Sequence, residues 1–145
     1  MKKVLLAVVT MLSLSTFAQE YKVITVVESI VPMGLGRSRI IEETSQLNVE
    51  DFTTERTDGK KSDQGSIKRG DAKVDKFKET KLLNFYSGVG INFQNIASND
   101  ALISDKINKM IKEGWSLEFA FSGVESVGGK DDKAGIYITR LIFKK

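Results

Sequence analysis

The spacing of apolar residues changes along this chain, and each change predicts a new element. Tyr21-Lys22-Val23-Ile24-Thr25-Val26-Val27-Glu28-Ser29-Ile30-Val31 is rich in β-branched residues and apolar on both faces. That pattern suits an interior strand, which Pro32 ends. Met33–Gly36 reads as a turn, and Arg37-Ser38-Arg39-Ile40-Ile41 as the start of a second strand. From Leu83 to Phe93 the period is two: Leu83, Phe85, Val89, Ile91 and Phe93 share one face, and Asn84, Tyr86, Asn92 and Gln94 share the other. A helix follows, capped by Ser98 or Asn99, with Ile103, Ile107, Met110 and Ile111 on one side. Gly114 stands where a left-handed residue ends a helix, and Trp115 behind it is placed to fold back on Met110. Trp115, Leu117, Phe119 and Phe121 then alternate with polar or small residues as a half-buried strand. Gly135–Phe143 is its returning partner.

Short connections on either side of the helix predict that the Leu83–Phe93 and Trp115–Phe121 strands run parallel, whereas the terminal hairpin is antiparallel. The expected fold class is α+β: one mixed, mostly antiparallel sheet of about four to five strands, a single α-helix packed on one face, and a long charged insertion. Within the sheet, Arg140 needs a carboxylate partner if it is buried, and Glu118 across the hairpin is the candidate.

The insertion is Glu42–Lys81. Its 40 residues hold ten acidic and nine basic side chains, with Leu47, Val49, Phe52, Ile67, Ala72, Val74 and Phe77 as the apolar ones. So little apolar surface does not offset about 1–2 kcal/mol of backbone entropy per ordered residue. The segment is either a long charged hairpin or a disordered loop. Leu47 and Val49 alternate like an edge strand, Thr57–Gly70 is expected to be mobile, and Val74 and Phe77 are placed to pin the return.

Residues 1–18 have the form of a cleaved secretory signal, with Lys2 and Lys3, an apolar run from Val4 to Leu14, and Thr16-Phe17-Ala18 before the cut. The run falls short of the ~20 residues that span a bilayer, so the mature chain is expected to carry no transmembrane anchor. Cleavage leaves 127 residues, 19–145, enough for one domain with its own core. It also leaves 20 basic against 19 acidic side chains, a formal charge of +1 instead of +3. A near-neutral mixed surface has no electrostatic footprint for nucleic acid. The expected location is therefore the periplasm or the extracellular medium. With no cysteine in the chain, stability must come from the core.

The framework resembles short bacterial domains of unknown function. The residues that carry the likeness are Glu20-Tyr21-Lys22-Val23 in the opening strand, Gly114-Trp115 at the helix end, and Arg140 in the closing hairpin. The mature chain also looks like small exported proteins of Bacteroidetes-type bacteria, through Gly90-Ile91-Asn92-Phe93-Gln94-Asn95-Ile96 and Ile138-Thr139-Arg140. The likeness covers Glu20–Val31 and Asn99–Lys145. The charged insertion departs from it, and Ser116 stands where those domains usually carry Glu. It implies a fold and brings no activity with it.

The lack of His and Cys removes imidazole-based triads and dyads, the usual zinc sites and thiol redox chemistry. Glu42-Glu43 and Asp131-Asp132 are close acidic pairs in polar context, the setting of solvated charges rather than of tuned catalytic carboxylates. No enzyme, cofactor or metal site is expected. The Val127–Lys133 loop sets two aspartates between two lysines, a poor calcium site and a good hairpin tip.

Two stretches offer ligand-binding chemistry. Gly34-Leu35-Gly36-Arg37-Ser38-Arg39 is a plain turn into a strand, or a small anion site using backbone N–H groups with Arg37 and Arg39. Asn84, Tyr86, Asn92 and Gln94 are the solvent face of a sheet, or a set of amides and an aromatic for a glycan or peptide. The expected role is an exported, non-enzymatic binding or interaction module with an envelope protein partner; a small-anion or glycan carrier is the alternative. An uncovered sheet face or edge also makes self-association reasonable, although no oligomeric state follows from the residues.

Overall fold

A computed structural model describes residues 19–29, 37–125 and 135–145 of the chain. The expected signal peptide, the Pro32 stop, the Met33–Gly36 turn and the Val127–Lys133 loop lie outside the described residues.

The described residues form seven strands and one long helix: β1 (Tyr21–Ser29), β2 (Arg39–Glu43), β3 (Phe77–Lys81), β4 (Tyr86–Ser87), β5 (Gly90–Ile91), α1 (Phe93–Lys112), β6 (Ser116–Glu125) and β7 (Ile136–Lys144). The main sheet has the order β3-β2-β1-β7-β6, and every neighbouring pair in it is antiparallel. β4 and β5 make a separate two-stranded ribbon. The fold is α+β with α1 on one sheet face, and β1 is the interior strand its apolar faces require.

Among the described residues the expected parallel pair is not formed, and the sheet is antiparallel rather than mixed. The segment expected as its first strand leaves the sheet after Leu82, whose N–H donates to the Ser38 carbonyl at 2.9 Å. Strand parity explains the shift: Thr80 lies opposite Ile40 on the helix side, so Leu82 turns the same way and is buried, while Leu83 is exposed. Beyond it the chain folds into the β4–β5 ribbon through Gly88-Val89, with Gly90 at φ 124°, and Val89, Ile91 and Phe93 are exposed.

The N-cap of α1 lies six residues before Ser98 and seven before Asn99, the two expected caps. Asn92 is the N-cap, its Oδ1 accepting from the N–H groups of Gln94 (3.1 Å) and Asn95 (3.2 Å). Glycine and proline are absent from Ile91 through Glu113, so nothing in that run opposes the earlier start. Lys109 and Lys112 occupy the last turn, where cations suit the macrodipole. The helix then ends as expected: Gly114 adopts φ 88°, its N–H donates to the Ile111 carbonyl at 2.9 Å, and the Trp115 N–H donates to the Met110 carbonyl at 3.0 Å. These are the two bonds of a Schellman motif. Ile111, however, is exposed; the buried side of α1 runs through Asn99, Ile103, Ile107 and Met110.

Ile24 and Val26 of β1, Ile40, Leu82, Leu141, Phe143 and Met110 form the core, with Ile103, Ile107 and Trp115 packed against it. Phe119 and Phe121 do not join them; they are 61% and 51% exposed. The cause is a β-bulge. The register with β7 slips between Leu117 and Phe119, so Glu118 is one residue too many and every later side chain changes face. Phe119 and Phe121 thus point away from α1. Arg140 lies opposite Phe121 rather than Glu118, is exposed, and needs no buried partner.

The charged segment leaves the sheet from β2 and returns in β3, which pair from Arg39↔Lys81 to Glu43↔Phe77, so it is the loop of a long hairpin. Residues 44–76 contain 3-10 turns at Val49–Phe52 and Asp63–Ser66 and no buried side chain. Val49 is therefore in a turn and not in an edge strand, and Phe77 lies in β3.

Candidate functional site

Arg37 is exposed just before β2, and Arg39 of β2 is ion-paired with Glu79 of β3. Between them Ser38 is buried, its Oγ accepting from the Ser29 N–H at 2.9 Å and donating to Asn84 Oδ1 at 2.6 Å. The glycines expected beside these arginines, Gly34 and Gly36, lie outside the described residues.

Asn84, Tyr86, Asn92 and Gln94 do not share a sheet face. Asn84 accepts from Ser38 through its side chain and from Asn95 Nδ2 (2.8 Å) through its carbonyl. Asn92 caps α1 and donates its N–H to the Phe85 carbonyl at 2.8 Å. Tyr86 is half-buried in β4, and Gln94 is exposed on the first turn of α1. Asn84 and Asn92 thus meet at one end of the molecule, where they hold the β3–α1 connection together. Asn99 completes that set. Fully buried, it accepts from the Leu83 N–H (2.8 Å) and donates to the Leu83 carbonyl (2.7 Å) and to Glu28 Oε1 (2.9 Å).

The close pair Glu42-Glu43 is split by the pleat. Glu42 faces α1, where it is buried and ion-paired with Lys22 and Lys106; Glu43 faces the other way and is exposed. Burial alone would raise the Glu42 pKa, but the hydrogen bonds and charges of Lys106 and Lys22 outweigh it and hold the carboxyl at about 2. Glu28 moves the opposite way. Its burial raises the pKa, the Asn99 hydrogen bond opposes that, and the Asp100 charge adds to it.

The surface with binding character is the sheet face opposite α1. Following the ladder, Val23, Val27, Ile41, Ile138, Ile142, Phe119 and Phe121 all project from it. Val23, Phe119 and Phe121 are exposed there, Val23 at 43%, and Val27, Ile41, Ile138 and Ile142 are half-buried. Polar residues stand within this face as well as at its border: the central row runs Ile41–Thr25–Arg140–Phe121, the Arg39–Glu79 pair and Lys81 lie toward β3, and Lys144 lies opposite Tyr21. At one end, β2 pairs with β1 only from Ile24 onward. There the chain after Glu43 diverges from Glu20–Val23 and leaves an open groove of about 860 Å³, with Tyr21, Trp115, Leu47, Gln46 and Asn48 in its lining. The Lys145 ammonium lies 5.7 Å from the Trp115 ring centroid and donates to the Glu113 carbonyl at 2.9 Å. Among the described residues no helix is long and apolar enough to cross a membrane.

No family model, curated protein or solved structure matches this chain.

An open sheet face was expected, but with Asn84, Tyr86, Asn92 and Gln94 on it, because the expected core claimed Phe119 and Phe121. A signal for its apolar character was present in β1: a strand apolar on both faces, together with a single helix, leaves one apolar face over.

Proposed function

We propose that this protein is an exported, non-enzymatic interaction module of the cell envelope, and that it grips a protein partner through the sheet face opposite α1. The observation that carries this reading is that Val23, Phe119 and Phe121 are exposed on one sheet face beside the half-buried Val27, Ile41, Ile138 and Ile142. An exposed face that mixes apolar groups with a central arginine suits protein recognition, the apolar groups giving up water and Arg140 with the bordering charges setting orientation. Export rests on the leader-like residues 1–18. The test is capture from envelope extract with the mature chain, a Val23→Asp/Ile142→Asp variant, and a variant with residues 44–76 replaced by a short linker. Loss of the captured protein with the first variant and its retention with the second are expected. Equal capture by the wild type and the Val23→Asp/Ile142→Asp chain would refute the reading.

The groove supports a second reading, a glycan carrier. Tyr21 and Trp115 are aromatic platforms for a sugar ring, and Glu20, Glu43, Gln46 and Asn48 are hydrogen-bonding groups suited to hydroxyls. Arg37 and Arg39 do not line it. A panel of oligosaccharides should then raise the melting temperature of the wild type but not of Tyr21→Ala. No shift with any member of the panel counts against it.

A further inference from the structure

We infer that β6 is an association edge whose partner is β6 of a second copy, paired antiparallel so that two five-stranded sheets join into one of ten strands. This goes beyond the proposed role of the sheet face, because it concerns the free backbone edge of the sheet. β6 is terminal in the strand order, so among the described residues one side of its backbone has no ladder neighbour. All ten of its residues are exposed, and its large apolar side chains stand on both faces: Phe119 and Phe121 away from α1, Leu117 and Val124 toward it but uncovered.

The two edges of the sheet are built differently. β3 has five residues, Phe77-Lys78-Glu79-Thr80-Lys81, three of them charged, the usual protection against edge pairing. β6 is twice as long, has no proline and no basic residue, and carries its two carboxylates at the bulge (Glu118) and the last position (Glu125). The stretch between them, Phe119–Val124, is uncharged, so a second copy meets no like charge in that central stretch. A strand paired antiparallel with itself about a two-fold axis is self-complementary and needs no second sequence.

The side chains favour a register centred on Phe121. Such a register sets Phe121 beside its copy and places Phe119 opposite Gly123 of the second copy. Nothing lies within 4 Å of where a Gly123 Cβ would stand. Around it is an open groove of about 500 Å³, bounded by Phe121, Ile138 and Arg140. An aromatic ring laid over an edge glycine fills that space. The same register brings Glu125 toward Lys144, the ladder partner of Ser116, about two strand spacings or ~10 Å away between backbones and within joint side-chain reach.

Sedimentation velocity of the mature chain, residues 19–145, is the test. A dimer is expected, with Phe119→Lys and Gly123→Val each raising its dissociation constant about tenfold or more while leaving the melting temperature and far-UV spectrum of the monomer intact. Gly123→Val keeps the edge uncharged, so it reports on the aromatic slot separately from edge charge. A chain that stays monomeric at high micromolar concentration, or a dimer indifferent to both substitutions, overturns the inference. A monomer that captures an extended peptide on β6 overturns it as well. Capture of an envelope protein by the sheet face is read in a separate assay, so either proposal can fail without the other.

Discussion

Asn99 and Leu83 are joined by two hydrogen bonds, the Asn99 side-chain amide meeting the backbone N–H of Leu83 at 2.8 Å and its carbonyl at 2.7 Å. A side chain from α1 thus takes the place of the strand neighbour that the chain lacks after leaving β3. Its third bond, to Glu28 Oε1, ties the same point to β1.

Replacing Asn99 by Leu strips these partners from Leu83 and Glu28 at a fully buried position. The expected cost is about 2–4 kcal/mol, read as a lower urea midpoint at unchanged slope. A change under about 0.5 kcal/mol would mean that water replaces the amide.

Glu42 makes stability pH-dependent in the acid range. Its folded pKa of about 2 lies below the ordinary 4.5, so the folded state holds the carboxylate more strongly than the unfolded chain does. That stability is fully present above about pH 4.5 and is lost as the pH falls through 2. The buried pair of ion contacts corresponds to on the order of 2–3 kcal/mol. Urea titrations of wild type and Glu42→Gln should differ most near neutrality and converge toward pH 2.

Glu28 carries the opposite sign. Its raised folded pKa means that its contribution is fully present below the ordinary carboxylate pKa and declines as the pH rises through the folded value. Glu28→Gln keeps an acceptor for Asn99 and removes both the buried charge and its repulsion from Asp100. The variant should melt at or above the wild-type temperature at pH 7, and a clear drop in calorimetry would show that the charge itself is needed.

The helix exit offers a matched pair of tests. Gly114→Ala places a Cβ at φ 88° and 3.5 Å from the Lys145 side chain, with an expected cost of about 1–2 kcal/mol. Trp115→Ala removes a half-buried indole from the edge of the core and should cost about 2–4 kcal/mol, below the range for a fully buried ring. Equal stability of Trp115→Ala and wild type in urea would show that the indole is not a packing element.

What the residues determined by themselves were the elements whose signals act over a few positions. Gly114-Trp115 end a helix because a positive φ and two bonds to carbonyls one turn back close locally, and β1 reads as interior because β-branched residues crowd both its faces. Only the tertiary structure decided which faces those elements present. One extra residue at Glu118 turns Phe119 and Phe121 from core to surface, and that choice exists only once β6 is paired with β7. Likewise Asn99 reads as a cap in sequence, where short polar residues favour helix starts. Its burial depends on Leu83, sixteen residues earlier, being left without a strand beside it.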